Sequence, residues 1–131
     1  MENTNEDITE SKSQESLNEI LSHSSKYLTV LAGIAHEEAK SNGWWENGER
    51  NIGELCMLMV SEISEAFEAH RNGGAMDDHL PDVPGMHAEM ADTIIRILDY
   101  CGSEGIQIGE IVFRKIRYNR TRGHRHGGKK A

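Results

Sequence analysis

Apolar residues recur at steps of three and four along most of the chain, which is the period of an amphipathic helix. The pattern predicts helices over about residues 17–41, 52–71, 86–101 and 109–119. The first is expected to end at Asn42 and Gly43, and the second at Gly73 and Gly74, because these residues favour helix ends. Since no segment gives a strand signal, the sequence predicts an all-α fold, a bundle of four to five helices.

The two ends of the chain lack this pattern. Residues 1–15 are polar and acidic and predict a disordered arm, residues 16–122 a single helical domain, and residues 123–131 a flexible basic tail. The N-terminus has no basic and apolar segments of a secretory signal, and no apolar run approaches the roughly 18 residues of a membrane span. Cys56 and Cys101 lie far apart on predicted apolar faces and are expected to be buried, reduced thiols. We therefore expect a cytoplasmic protein without a membrane partner.

Charge is distributed unevenly in a chain whose net charge is −8. No acidic residue follows Glu110, and eight of the 14 lysines and arginines lie from Arg114 onward. Such a basic segment is typical of a tail that binds nucleic acid, or of a segment whose cations contact a phosphate-bearing small ligand. The negative total makes nucleic acid the less favoured partner.

One glutamate of the predicted second helix lies where an apolar residue is expected. At about 100° per residue, Glu62 falls between Leu58 and Ala66 inside the apolar face, Glu65 lies at its edge, and Glu68 lies on the polar side. An unpaired buried carboxylate costs several kcal/mol, or is protonated instead. The position of Glu62 therefore requires a counter-charge or a cavity.

A second acidic pair, Glu89 and Asp92, lies on adjacent turns of the predicted third helix. Packed against Glu62 and Glu65, it would gather four carboxylates that divalent cations would have to neutralise. All-oxygen ligands suit Mg²⁺ or Mn²⁺. A solvated acidic face is the alternative reading of either pair alone. A di-iron bundle is disfavoured because none of the seven histidines has a glutamate three residues before it.

Three motifs together resemble the MazG-like all-α nucleoside triphosphate pyrophosphohydrolases. The first two are the E-x-x-E of Glu62–Glu65 within GWWENGERNIGELCMLMVSEISEAFEAHRNG, and the E-x-x-D of Glu89–Asp92. The third is the closing stretch KIRYNRTRGHRHGGKKA, in which Gly123 stands where the family often has proline. The similarity covers roughly residues 30–130.

This resemblance implies a helical bundle that works as a dimer or a dimer of dimers. It implies Mg²⁺-dependent hydrolysis of a nucleoside triphosphate to the monophosphate and pyrophosphate, with Mn²⁺ a possible substitute and a role in nucleotide-pool sanitation or balance. By this resemblance the metal ligands and catalytic residues would be Glu62, Glu65, Glu89 and Asp92. The substrate-binding residues would be Lys115, Asn119 and Arg122 and, by a looser match, Trp44, Trp45 and His36.

The sequence leaves a second function open. A non-catalytic helical interaction protein, whose basic tail binds nucleic acid or a protein partner, would explain the helices and the tail without any reaction. The retention of all four acidic residues favours the enzyme. The base and sugar of the substrate, and the carboxylate that acts as general base, are not predicted.

Overall fold

The computed structural model describes the backbone of residues 5–123 and the side chains of residues 12–123. Within that range the chain forms four α-helices and no strand, which confirms the predicted all-α class. Their bounds are α1 Asn5–Ser41, α2 Ile52–Arg71, α3 Gly85–Ser103 and α4 Ile108–Thr121. An isolated β-bridge between Met76 and Pro84 closes the loop before α3.

The start of α1 differs from the sequence prediction. The helix begins at Asn5 and therefore includes residues 5–15, which the sequence assigns to a disordered arm. This segment is rich in glutamate and serine and has no proline or glycine, so a helix is allowed although no apolar period marks it. Residues 1–4 of the predicted arm and residues 124–131 of the predicted tail lie outside the described residues.

The chain divides into two compact units. One unit comprises residues 31–106. The other comprises the described parts of residues 1–30 and 107–131. In the latter unit the backbone N–H of Gly109 donates a hydrogen bond to Thr29 Oγ1 at 3.0 Å. A side chain at position 109 would collide with the backbone of Ser25, so only glycine allows this close approach of α4 to α1.

In the unit of residues 31–106, α2 and α3 pack against each other. The buried apolar residues of the described chain all lie in this unit: Ala32, Leu55, Ala66, Ala88, Leu98 and Cys101. Half of them are alanines, so the helices approach closely around a small core. Gly102 lets the end of α3 lie against Ala32 and His36 of α1, where a Cβ would collide with the Ala32 carbonyl oxygen.

Local signals place the ends of α2. Asn51 caps its N-terminus, because its side-chain oxygen accepts a hydrogen bond from the Glu54 N–H at 3.1 Å. Gly73 and Gly74, with φ of 89° and 73°, end the helix as the sequence predicts. In the loop that follows, Asp77 accepts hydrogen bonds from the backbone N–H groups of His79 and Leu80 at 2.8 and 2.7 Å.

Many large apolar side chains are exposed. On α2, Ile63 and Phe67 are 50% and 61% exposed, although the sequence places both on its apolar face. Cys56 is also exposed, which corrects the expectation that both thiols are buried; Cys101 alone is buried. Leu55 and Ala66 of the same face are buried, so other parts of the chain cover this face only in part. No helix among the described residues is long and apolar enough to span a membrane.

Candidate functional site

Three carboxylates from two helices meet in the unit of residues 31–106. Glu62 comes from α2, and Glu89 and Asp92 come from α3. One carboxylate oxygen of each lies within 4.8 Å of the others. The E-x-x-D spacing places Glu89 and Asp92 on one face of α3, and the packing of α2 against α3 brings Glu62 opposite them. The two acidic pairs of the sequence predict a convergence of four carboxylates, of which these are three.

The three groups differ in burial. Glu62 is 7% exposed, in agreement with its position inside the apolar face of α2, while Glu89 is half-buried and Asp92 is exposed. Burial, a hydrogen bond with Glu62 and the charge of Glu65 raise the pKa of Glu89 from 4.5 to about 7. Burial and the charge of Glu62 also raise the pKa of Asp92. The cluster therefore holds more negative charge than its surroundings neutralise.

One cation contacts the cluster. Arg96, one turn after Asp92 on α3, donates a hydrogen bond from Nε to Glu62 Oε1. This ion pair supplies the counter-charge that the buried position of Glu62 requires. Arg96 also lowers the pKa of Asp92, against the larger effects of burial and Glu62. Glu89 has no cation among the groups that shift its pKa.

Glu65 lies apart from the three grouped carboxylates. It is exposed on α2, and its oxygens are not part of the cluster in which the other three meet. Its charge still contributes to the raised pKa of Glu89, so it lies close to the cluster. The structure thus brings together three of the four acidic residues that the sequence selects and places the fourth at the margin.

A cavity of about 610 Å³ adjoins the carboxylates. Its lining includes Glu62, Asp92 and Arg96 at the acidic cluster. Aliphatic side chains of α1 and α3 and the ring of Trp44 supply most of the rest. Trp44 is 55% exposed, so its ring is accessible to a ligand in the cavity.

Two guanidinium groups lie against the Trp44 ring. The Cζ atoms of Arg50 and Arg96 lie 5.7 and 5.8 Å from its centroid, within the range of cation–π contacts. Arg50 also lies 5.5 Å from the centroid of the Trp45 ring. One cavity is therefore bordered by carboxylates, an indole ring and two permanent cations.

Trp45 and His36 both contact the buried carboxylate of Asp99, a residue that the sequence does not single out. Trp45 Nε1 donates to both oxygens of Asp99, at 3.0 and 3.2 Å, and His36 Nδ1 lies 2.8 Å from Oδ1. The two rings are perpendicular, with centroids 5.0 Å apart. Asp99 is 8% exposed and lines the cavity of about 610 Å³. Its spacing of seven residues from Asp92 is the signal that was present in the sequence.

The other predicted substrate-binding residues lie in or beside α4, in the unit formed by the chain ends. Lys115 and Asn119 are exposed, and Arg122, which follows the helix, is half-buried. Lys115 Nζ and Arg122 Cζ lie 5.4 and 5.7 Å from the centroid of the Tyr118 ring. The proposal that these groups contact phosphate stays a prediction.

Comparison with known proteins adds no relative: no family profile, curated protein or solved structure matches this chain. The resemblance to the MazG-like enzymes therefore rests on the sequence motifs alone.

Proposed function

We propose that this protein is a Mg²⁺-dependent nucleoside triphosphate pyrophosphohydrolase of the MazG-like type. It would convert a (d)NTP to the monophosphate and pyrophosphate, in the cytoplasm, for sanitation or balance of the nucleotide pool. The observation that carries the proposal is the meeting of Glu62, Glu89 and Asp92 beside a cavity lined by Trp44 and arginines.

The residues fit a hard divalent cation. Glu62, Glu89 and Asp92 offer only oxygen ligands, which Mg²⁺ and Mn²⁺ prefer. Burial and neighbouring carboxylates, Glu62 among them, raise the pKa values of Glu89 and Asp92, so a bound cation would relieve the crowding of negative charge. Bound Mg²⁺ would supply the Lewis acidity that activates water and stabilises negative charge on a departing pyrophosphate.

The remaining groups of the cavity would bind different parts of the substrate. The Trp44 ring and the aliphatic side chains of the cavity would hold the flat apolar base. The guanidinium groups of Arg50 and Arg96 would bind phosphate oxygens, for which arginine is well suited. Glu65, close to the cluster but outside it, is then the carboxylate that would accept the proton of the attacking water.

We also propose that the protein works as a homodimer or homotetramer. Large apolar side chains are exposed on all four helices, for example Ile20, Phe67, Ile94 and Ile116. The buried core of the described chain is small, so a second copy that covers these faces would add the apolar burial that the single chain lacks. Light scattering coupled to gel filtration tests this; a monomer at micromolar concentration contradicts it.

Pyrophosphate release tests the enzymatic proposal. Canonical and damaged (d)NTPs are incubated with Mg²⁺, and pyrophosphate and phosphate are measured separately. We expect pyrophosphate, loss of activity in EDTA, and a loss of at least about 100-fold in Glu62→Gln or Asp92→Asn. Glu68→Gln is the matched control, because Glu68 lies on the polar side of α2 and, among the described residues, its carboxylate bonds to Arg71 and Asn72.

Three results would overturn this function: phosphate in place of pyrophosphate, activity that resists EDTA, or no cleavage with either Mg²⁺ or Mn²⁺. The last result would favour the alternative, a non-catalytic interaction protein. The exposed apolar faces of the helices also suit that alternative, since they can receive a protein partner.

A further inference from the structure

Asp99 lies on the same face of α3 as Asp92. Seven residues separate them, which is two helical turns, or about 10.5 Å along the axis with a rotation of only about 20°. Both residues line the cavity of about 610 Å³. A nucleotide whose phosphates lie at Asp92 can therefore extend along α3 until its base reaches Asp99.

The Asp99 carboxylate is held in place and keeps unused capacity as an acceptor. Trp45 and His36 are its hydrogen-bond partners among the described residues, and Asp99 is not one of the three grouped carboxylates. Two partners do not use the roughly four acceptor sites that a carboxylate offers. A ligand in the cavity can therefore donate to Asp99 without displacing Trp45 or His36.

We propose that Asp99 recognises the nucleobase and selects bases that carry an exocyclic amino group: cytosine, adenine or guanine. This inference rests on the proposed function, whose substrate class it names. An amino group donates to a carboxylate, whereas the carbonyl that replaces it in uracil (against cytosine) or in hypoxanthine (against adenine) places an acceptor against an acceptor. Against guanine, hypoxanthine simply lacks the 2-amino donor. An analogue without the amino group loses this hydrogen bond, and a carbonyl in its place is repelled by the carboxylate, so the site discriminates against it.

Asp99 can act in two ways that an experiment distinguishes: it can contact the base, or it can only hold Trp45 and His36 in place. If Asp99 only anchors Trp45 and His36, its replacement weakens the binding of every base alike. If Asp99 contacts the base, its replacement changes the order of preference among bases. Trp45→Phe is the matched variant, because it keeps an aromatic ring in the same place and removes the Nε1 hydrogen bond to Asp99.

The test measures binding without turnover. The Kd values of non-hydrolysable α,β-imido deoxynucleoside triphosphates are measured by calorimetry with Mg²⁺, in pairs that differ in the amino group: cytosine against uracil, and adenine and guanine each against hypoxanthine. The tightest ligand should carry an amino group, and its partner without that group should bind at least about tenfold more weakly. In Asp99→Asn this ratio should fall to about threefold or less, because the amide can both donate and accept. In Trp45→Phe the ratio should persist, while all ligands bind more weakly.

The outcomes separate the two proposals. If the partner that lacks the amino group binds as tightly as the tightest amino-bearing base in the wild-type protein, the inference is overturned and the enzyme proposal stands. A ratio that survives Asp99→Asn, in protein whose circular dichroism is unchanged, also overturns it. Absence of binding by every analogue overturns the base inference and the proposed function together.

Discussion

The charge crowding at Glu89 predicts a pH-dependent gain of stability when this carboxylate is removed. In the metal-free protein its pKa is raised from 4.5 to about 7 by burial, by a hydrogen bond with Glu62 and by neighbouring acidic charges, that of Glu65 first. A carboxyl group whose pKa is higher in the folded than in the unfolded state favours the unfolded state once it is ionised. Glu89→Gln removes that ionisation, so the variant should be more stable than the wild type at high pH.

The magnitude follows from the shift. At about 1.4 kcal/mol per unit, a rise from 4.5 to about 7 corresponds to at most about 3.5 kcal/mol. Glu89 is only half-buried, so solvent screening reduces the expected effect to about 1–2 kcal/mol. The sign is fixed by linkage: the penalty is absent below pH 4.5, grows between pH 4.5 and 7, and is complete above pH 7.

Urea denaturation in EDTA at pH 5 and pH 8 measures the effect. At pH 8 Glu89→Gln should unfold with a free energy about 1–2 kcal/mol above that of the wild type, and at pH 5 most of this gain should vanish. Saturating Mg²⁺ should reverse the order, because only the wild type keeps the full set of cation ligands. Glu68→Gln, which changes an exposed glutamate of α2, should show no such pH dependence. Equal or lower stability of Glu89→Gln at pH 8 would refute the crowding argument.

Three further changes test the site and the packing around it. Arg96→Gln should bind Mn²⁺ about tenfold more tightly by calorimetry, because it frees Glu62 from its cation; weaker binding would contradict this. Asn51→Ala should lower the unfolding free energy by about 1 kcal/mol in urea through loss of its cap, and no change would show that the cap is not needed. Gly102→Ala should cost about 1–3 kcal/mol because a Cβ collides with α1, whereas Gly33→Ala, which has open space, should be neutral or stabilising by up to about 1 kcal/mol.

Much of the fold follows from local signals that act within a few residues. The period of the apolar positions predicts all four helices, and the bounds of α2 agree with the sequence at both ends because Asn51 and the glycines Gly73 and Gly74 act locally. The start of α1 was missed because a helix that is polar on every side shows no apolar period. A pattern of side chains can report a helix only where one face differs from another.

The candidate site follows from sequence in part. Periodicity on α2 placed Glu62 inward, and the spacing of Glu89 and Asp92 placed both on one face of α3. The same period places Arg96 and Asp99 on the polar face of that helix with Glu89 and Asp92, but it does not indicate which residues of other helices contact them. Their partners, Glu62 and the Trp45–His36 pair, come from residues 34 to 63 positions away along the chain.

By itself, then, the sequence determined the four helices, their approximate ends apart from the start of α1, and the faces on which the acidic pairs lie. These depend on backbone preferences and on the 3.6-residue period. Only the tertiary structure decided which carboxylates meet. It grouped Glu62 with Glu89 and Asp92, left Glu65 at the margin, and buried Asp99 beneath Trp45 and His36. Burial and distance between helices depend on how α1, α2 and α3 pack, and no local pattern encodes that packing.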